Sequence, residues 1–184
     1  MITTHFDSAE RAYTELYGHF ARKNFGLAGD AAVAFVGPCE VRGDKLVDLA
    51  DRAAGNFIVA ARMLHFVVEH FGLPLSEAVW RQRVLAALVA EEVARRVPGT
   101  AVERRGDDVY AAEGKLTVSI ATVSPTSALI HLGVNVDATG APVVAADLQG
   151  LGIDERELAE VILNRYAEEV ETYREALGKV DGVC

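Results

Sequence analysis

Between Gly114 and Val136 apolar and polar residues alternate at a period of two, the pattern of strands that bury one face. Leu116, Val118 and Ile120 fall on one side and Lys115, Thr117 and Ser119 on the other. After Ser124-Pro125-Thr126-Ser127, the residues Ile130, Leu132, Val134 and Val136 oppose His131, Gly133 and Asn135. A hairpin turning about Pro125 that buries both apolar sets together brings the polar sets onto one face. That register predicts Ser119 beside His131, Thr117 beside Gly133 and Lys115 beside Asn135.

Three other stretches carry the helical period. From Asp7 to Lys23 the residues Ala9, Tyr13, Leu16, Tyr17 and Phe20 share a face, and Asp7 with Glu10 suits a capping box. A second helix starts at Ser76, carries Val79, Trp80, Leu85, Leu88, Val89 and Val93, and stops at Pro98-Gly99. A third opens on Asp154 with Glu157 three residues on, and carries Leu158, Val161, Ile162, Tyr166, Val170, Tyr173 and Leu177 before Gly178.

Further strand-like runs are Ala32 to Val36, a stretch within Phe57 to Phe71, Asp108 to Ala112 and Val143 to Ala146. The extents of the alternating pair are Leu116 to Val123 and Leu129 to Val136. Helix, strands, helix, strands, helix, with short turns between neighbouring strands, predicts an α+β fold: a largely antiparallel sheet with helices packed on one face. At 184 residues, 1–184 is expected to form a single domain with one core.

Charge narrows the partners. The net charge is −9, and the densest basic clusters, Arg22-Lys23 and Arg104-Arg105, are only pairs. A nucleic-acid partner is therefore excluded, since phosphate binding needs a basic stripe. No apolar run reaches the roughly eighteen residues of a membrane span, and Met1-Ile2-Thr3-Thr4-His5 has no signal-peptide character, which leads to a cytoplasmic expectation with no membrane partner. Cys39 and Cys184 show no metal or redox spacing, and Cys39 has no local base, so a small structural residue is expected there.

A sheet face bearing Lys115, Thr117, Ser119, His131, Gly133 and Asn135 offers donors, acceptors and room for a polar ligand. The plain alternative is a wet sheet face without function. His65 and His70 are five apart, which on a strand sends their rings to opposite faces, so no metal site is expected. His65 shares its face with Glu69 and joins the ligand-binding candidates, with a structural histidine as the alternative.

Several segments carry a family resemblance: Asn24-Phe25-Gly26 through Gly29-Asp30, Met63-Leu64-His65-Phe66-Val67-Val68-Glu69-His70-Phe71, Arg81-Gln82-Arg83, Gly106-Asp107-Asp108-Val109-Tyr110 and Ser119-Ile120-Ala121-Thr122-Val123-Ser124-Pro125. Over nearly the whole chain they resemble a prokaryotic family known as domain of unknown function 366. That family is similar to the catalytic core of the biotin and lipoate protein ligases and octanoyltransferases, itself like class II aminoacyl-tRNA synthetase cores.

In such cores a lysine after a glycine opens a strand and contacts the acyl group or its adenylate, and a later strand carries a glycine and often an asparagine. The resemblance implies a catalytic role for Lys115, which follows Gly114, and ligand contacts from the strand His131-Leu132-Gly133-Val134-Asn135. It also implies an acyltransferase or acyl-adenylate-forming ligase, a small-molecule acid or acyl adenylate as ligand, an acceptor protein, and ATP as the cofactor to consider. There are departures. The region from Ala53 to His65 has only Gly55 where biotin ligases carry a basic glycine-rich loop, and no cysteine lies between Asn135 and the last helix where octanoyltransferases keep a nucleophile. Rival readings are a non-catalytic metabolite-binding module and a homo-oligomeric interaction protein.

Overall fold

The computed structural model describes residues 1–182. Its centre is a five-stranded sheet of β1 (Thr3–Asp7), β2 (Ala31–Arg42), β3 (Phe57–Phe71), β7 (Thr117–Val123) and β8 (Ser127–Asp137), in the order β1-β2-β3-β8-β7. Only the β1–β2 pair is parallel. The sequence from Phe57 to Phe71 shows little alternation because β3 lies in the middle of the sheet and is covered on both faces over much of its length.

Two long helices, α3 (Leu75–Arg96) and α5 (Glu155–Gly178), cover one face. Leu64, Phe66, Leu132 and Val134 meet Leu85, Val89, Leu158 and Ile162 there in one core cluster. The Asp154 carboxylate caps α5 as expected, accepting the Glu157 N–H at 2.9 Å. α3 begins instead after Pro74, with no side-chain cap from Ser76. Trp80, expected on its apolar stripe, is 71% exposed on the outside. His70 points to this helical face, bonded to Tyr166 Oη at 2.9 Å and to Asp30 at 3.1 Å, whereas His65 points to the opposite face. The two rings thus part as the strand period requires.

The chain folds differently from expectation in its first 23 residues. Instead of a helix over Asp7 to Lys23, β1 ends at Asp7, an extended segment crosses the sheet, and only α1 (Phe20–Phe25) is helical. Tyr13, Leu16, Tyr17 and Phe20 do pack on the sheet, while Ala9 is exposed, and the backbone finds its partners there. Arg11 N–H donates to Val36 C=O, Tyr13 N–H to Pro38 C=O and Glu40 N–H to Tyr13 C=O, at 2.9, 2.9 and 3.0 Å. Asp7 closes a local turn by accepting the Ala9 N–H at 3.0 Å. This crossing needs Gly37, where a Cβ would collide with the backbone of Arg11.

Between α3 and β7 lies a small sheet of β4 (Val102–Arg105), β5 (Asp108–Ala111) and β6 (Gly114–Lys115). The run Val143 to Ala146 forms no strand, only a bridge from Ala145 to Lys115. The short helices α2 (Leu49–Ala53) and α4 (Leu148–Leu151) sit in the β2–β3 connection and before α5.

The β7–β8 hairpin is present, but its register is one residue away from expectation. Thr117 faces Val134, Val118 faces Gly133, Ser119 faces Leu132 and Ile120 faces His131. The turn takes four residues, closed by Ser124 N–H donating to Ser127 C=O at 2.7 Å, so its centre lies beyond Pro125. A one-residue slip reverses every side chain. Thr117 and Ser119 consequently share the helical side with Val134 and Leu132, and Val118 and Ile120 share the other with Gly133 and His131. The hydroxyls on the helical side are satisfied: Thr117 Oγ1 accepts the Val109 N–H at 2.8 Å. Ser119 Oγ accepts from Gln82 Nε2 at 2.7 Å and donates to Asp107 C=O at 2.9 Å.

Candidate functional site

On the sheet face away from α3 and α5 there is a cavity of about 520 Å³. Tyr13, Met63, Val118, Ile120, His131 and Asn135 form its floor. One wall is the β2–β3 connection, where Asp48 caps α2 by accepting the N–H groups of Ala50 and Asp51 at 2.8 and 2.9 Å. The opposite wall is Asp107, Asp108 and Lys115, and the segment from Ala141 to Ala145 completes the rim.

Lys115 is held at this wall by backbone on both sides. Its N–H donates to Val144 C=O at 3.0 Å, its C=O accepts from Ala146 N–H at 3.1 Å, and it pairs with Tyr110 across β5–β6. The ammonium lies 2.7 Å from Asp108 Oδ2, with both side chains about a quarter exposed, at 28% and 22%. Burial pushes the Asp108 carboxyl above the ordinary range, and the Lys115 charge opposes that rise. Lys45, the other lysine lining the cavity, stands 3.8 Å from Glu15.

At the floor His131 meets a second histidine, His65, from beneath. His65 Nδ1 and His131 Nε2 are 3.1 Å apart, and His65 Nε2 is 3.3 Å from Gly37 C=O, at the bulge where the β2–β3 register shifts. Tyr13 stacks on His131 with ring centroids 3.9 Å apart and planes 11° from parallel, and Phe35 stacks on His65. Desolvation lowers the His65 pKa to about 3 and takes His131 well below its usual value, so both are neutral imidazoles. Asn135 Nδ2 donates to Lys115 C=O and Ala146 C=O, each at 3.1 Å, which ties β8 to the Lys115 wall.

Of the residues singled out in the sequence, Lys115, His131 and Asn135 come together at the cavity. Ser119 reaches its edge with the hydroxyl already engaged. Thr117 is buried away from it, Gly133 lies under Met63, and His65 supports His131 from behind. Glu69, on the His65 face, serves His19 N–H and Ser127 Oγ, each at 2.6 Å. Sequence reasoning missed Tyr13, Met63 and Asp108; the adjacency of Asp108 to the Gly106-Asp107 turn was the one available signal. Burial pushes the Cys39 thiol up to about 12, in keeping with a structural residue, and Cys184 lies outside the described residues. Among the described residues no cluster of three or more His, Cys, Asp or Glu is placed to hold a metal, and no helix is long and apolar enough to cross a membrane.

The fold has counterparts among known proteins. A solved protein of unknown function from Pyrococcus horikoshi is 35% identical and superposes with a TM-score of 0.94, each chain being covered in full. An uncharacterized protein of Methanocaldococcus jannaschii is 33% identical over 167 residues, 87% of this chain and 75% of the relative. At the level of fold alone, a biotin protein ligase variant from Aquifex aeolicus, solved in complex with biotin, matches with a TM-score of 0.61 at 15% identity, over 94% of this chain and 72% of the ligase. The α+β architecture is thus that of the biotin protein ligase catalytic domain. With residues 2–181 matching its family description, the chain belongs to the family named domain of unknown function DUF366.

Proposed function

We propose that 1–184 acts as one ligase-like domain whose cavity binds a small carboxylic acid or an acyl form of it, with Lys115 facing the carboxyl end. The observation that carries this is the placement of Lys115 at the wall of a 520 Å³ cavity on the open face of a biotin-ligase-like sheet. The Asp108 partner does not preclude it. A carboxyl already raised by burial takes up a proton at modest cost, and the freed ammonium then offers a charge-assisted contact to a ligand carboxylate or a developing oxyanion. An acyltransferase or acyl-ligase reaction toward an acceptor protein is the enzymatic form of this proposal.

ATP fits less well. Asp48, Asp51, Asp107 and Asp108 all line the cavity, and this acidity opposes a polyphosphate. That same acidity favours, as second reading, a binding module that holds a metabolite without activating it. Self-association through the outer face around Trp80 is the remaining alternative.

The test is a thermal-shift panel of biotin, lipoate, octanoate and ATP, with mass spectrometry of whatever purified protein releases on denaturation. An acid at a hundredfold its dissociation constant should stabilise the protein by about 2.7 kcal/mol. No shift with any acid and no released ligand would overturn the acid-binding function.

A further inference from the structure

We infer that the solvent face of α3 pairs with the same face of a second copy of the chain, the two helices crossing antiparallel about a two-fold axis at Ala87. The inference stands beside the acid-binding function and does not rest on it, because the cavity opens on the other face of the sheet.

α3 packs against the sheet, α5 and the small sheet, which leaves one stripe of the helix without a partner. At about 3.6 residues per turn Trp80, Val84, Ala87, Glu91 and Ala94 fall in one narrow arc, with Arg83 and Arg95 at its edges. Trp80 is 71% exposed and Val84 39%, Ala87 is half-exposed, and Ala94 is exposed. Trp80, Ala87 and Ala94 repeat at heptad spacing, the seam along which one helix packs on another.

The order of residues along the stripe selects a second copy as the occupant. A two-fold axis at Ala87 sets Trp80 of each molecule on Ala94 of the other and Arg83 of each opposite Glu91 of the other. The small side chain at the crossing point lets the helices approach closely, and the indoles fill the space that opens on either side as they diverge. Charge agrees with shape. Among the described residues Arg83 makes no ion pair, unlike Arg81, Arg95 and Arg96 of the same helix, and the Glu91 side chain is 60% exposed beside Arg165. Antiparallel pairing therefore gives two reciprocal Arg83–Glu91 contacts, whereas parallel pairing in register would set Arg83 against Arg83 and Glu91 against Glu91. α5, the other outer helix, exposes Glu160, Glu168, Glu169 and Glu175, and there a second copy of a chain of net charge −9 is repelled. A contact of two helices lies at the low end of interface sizes, below about 1,200 Å², so the dimer is concentration-dependent.

Sedimentation velocity of the full chain from micromolar to millimolar concentration should show a reversible monomer–dimer equilibrium. In a Cys184→Ser background, with Cys39 buried, Ala87→Cys meets its own mate across the axis and should give a disulfide-linked dimer on mild oxidation. Ala94→Cys, set against Trp80, should not. Arg83→Glu and Glu91→Arg should each weaken dimerisation at least about tenfold, and the two together should restore it, which no loss of folding could imitate. A protein that stays monomeric throughout overturns the proposal and leaves the stripe to a different partner. A dimer that forms without the Ala87→Cys cross-link, or that is indifferent to the charge exchange, overturns it too, because the contact then lies elsewhere.

Discussion

Lys115 and Asp108 put the functional reading to its simplest test at the residue scale. Replacing Lys115 with Gln keeps length and removes charge, and Asp108, already raised by burial, can protonate rather than remain an unpaired anion. Thermal melts of the ligand-free Lys115→Gln protein should differ from the parent by less than about 1 kcal/mol, as for a partly exposed pair. Acid binding should fall at least about tenfold, the scale of a charge-assisted contact. A ligand-free loss above about 2 kcal/mol would make Lys115 a structural partner of Asp108 and move the function toward the binding module. The two buried imidazoles make a second residue-scale prediction. Their pKa values are depressed in the folded protein, so below pH about 6.5 the unfolded chain takes up protons that the folded one refuses. Stability should be independent of these groups above that pH and fall by about 1.4 kcal/mol per unit per histidine as pH drops toward 3, the value for His65. Urea midpoints at pH 7.5 and 5.5 measure it, and equal midpoints would mean that the pair is not buried neutral.

At the scale of elements, two glycines separate stability from site shape. A Cβ at Gly37 meets the Arg11 backbone, which cannot move without lifting the Tyr13 segment from the sheet. Gly37→Ala should therefore cost about 1 to 3 kcal/mol in chemical denaturation. A Cβ at Gly133 meets only the Met63 thioether, a flexible chain end on the cavity floor. Gly133→Ala should narrow the cavity and weaken ligand binding while costing less stability than Gly37→Ala; the reverse order would show that Met63 is locked. These elements were unequally legible in the sequence. α5 was clear because Asp154, Glu157 and the apolar stripe are local signals that agree. The β7–β8 alternation was equally clear, but its phase was not. The partners that hold Thr117 and Ser119 on the helical side are the Val109 N–H and Gln82 Nε2, which donate to them, and the Asp107 carbonyl, which accepts from Ser119, all brought there by the fold rather than by sequence neighbourhood. The same holds for Tyr13: its helical spacing was real, yet the backbone bonds across Val36 and Pro38 prevailed over local propensity. Lys115, His131 and Asn135 line one cavity because the register shift leaves the faces of β8 as expected and the Lys115 wall is built by a separate sheet.

For the whole molecule, the two faces of the sheet should respond differently to truncation. Leu132 is fully buried under α3 and α5, and Leu132→Ala should cost about 2 to 5 kcal/mol. Ile120 lines the cavity instead, where its side chain leaves no sealed void, so Ile120→Ala should cost clearly less and act mainly on binding. Equal losses at both positions would mean that the cavity is closed in solution. The position of Trp80 has an optical consequence. As the chain's one tryptophan, 71% exposed on the outer surface of α3, it already sits in water when the protein is folded. Its emission maximum should hardly move on unfolding, so intrinsic fluorescence is a poor reporter of the melts above. By the same token, a blue shift that grows with protein concentration would report a second molecule covering the indole.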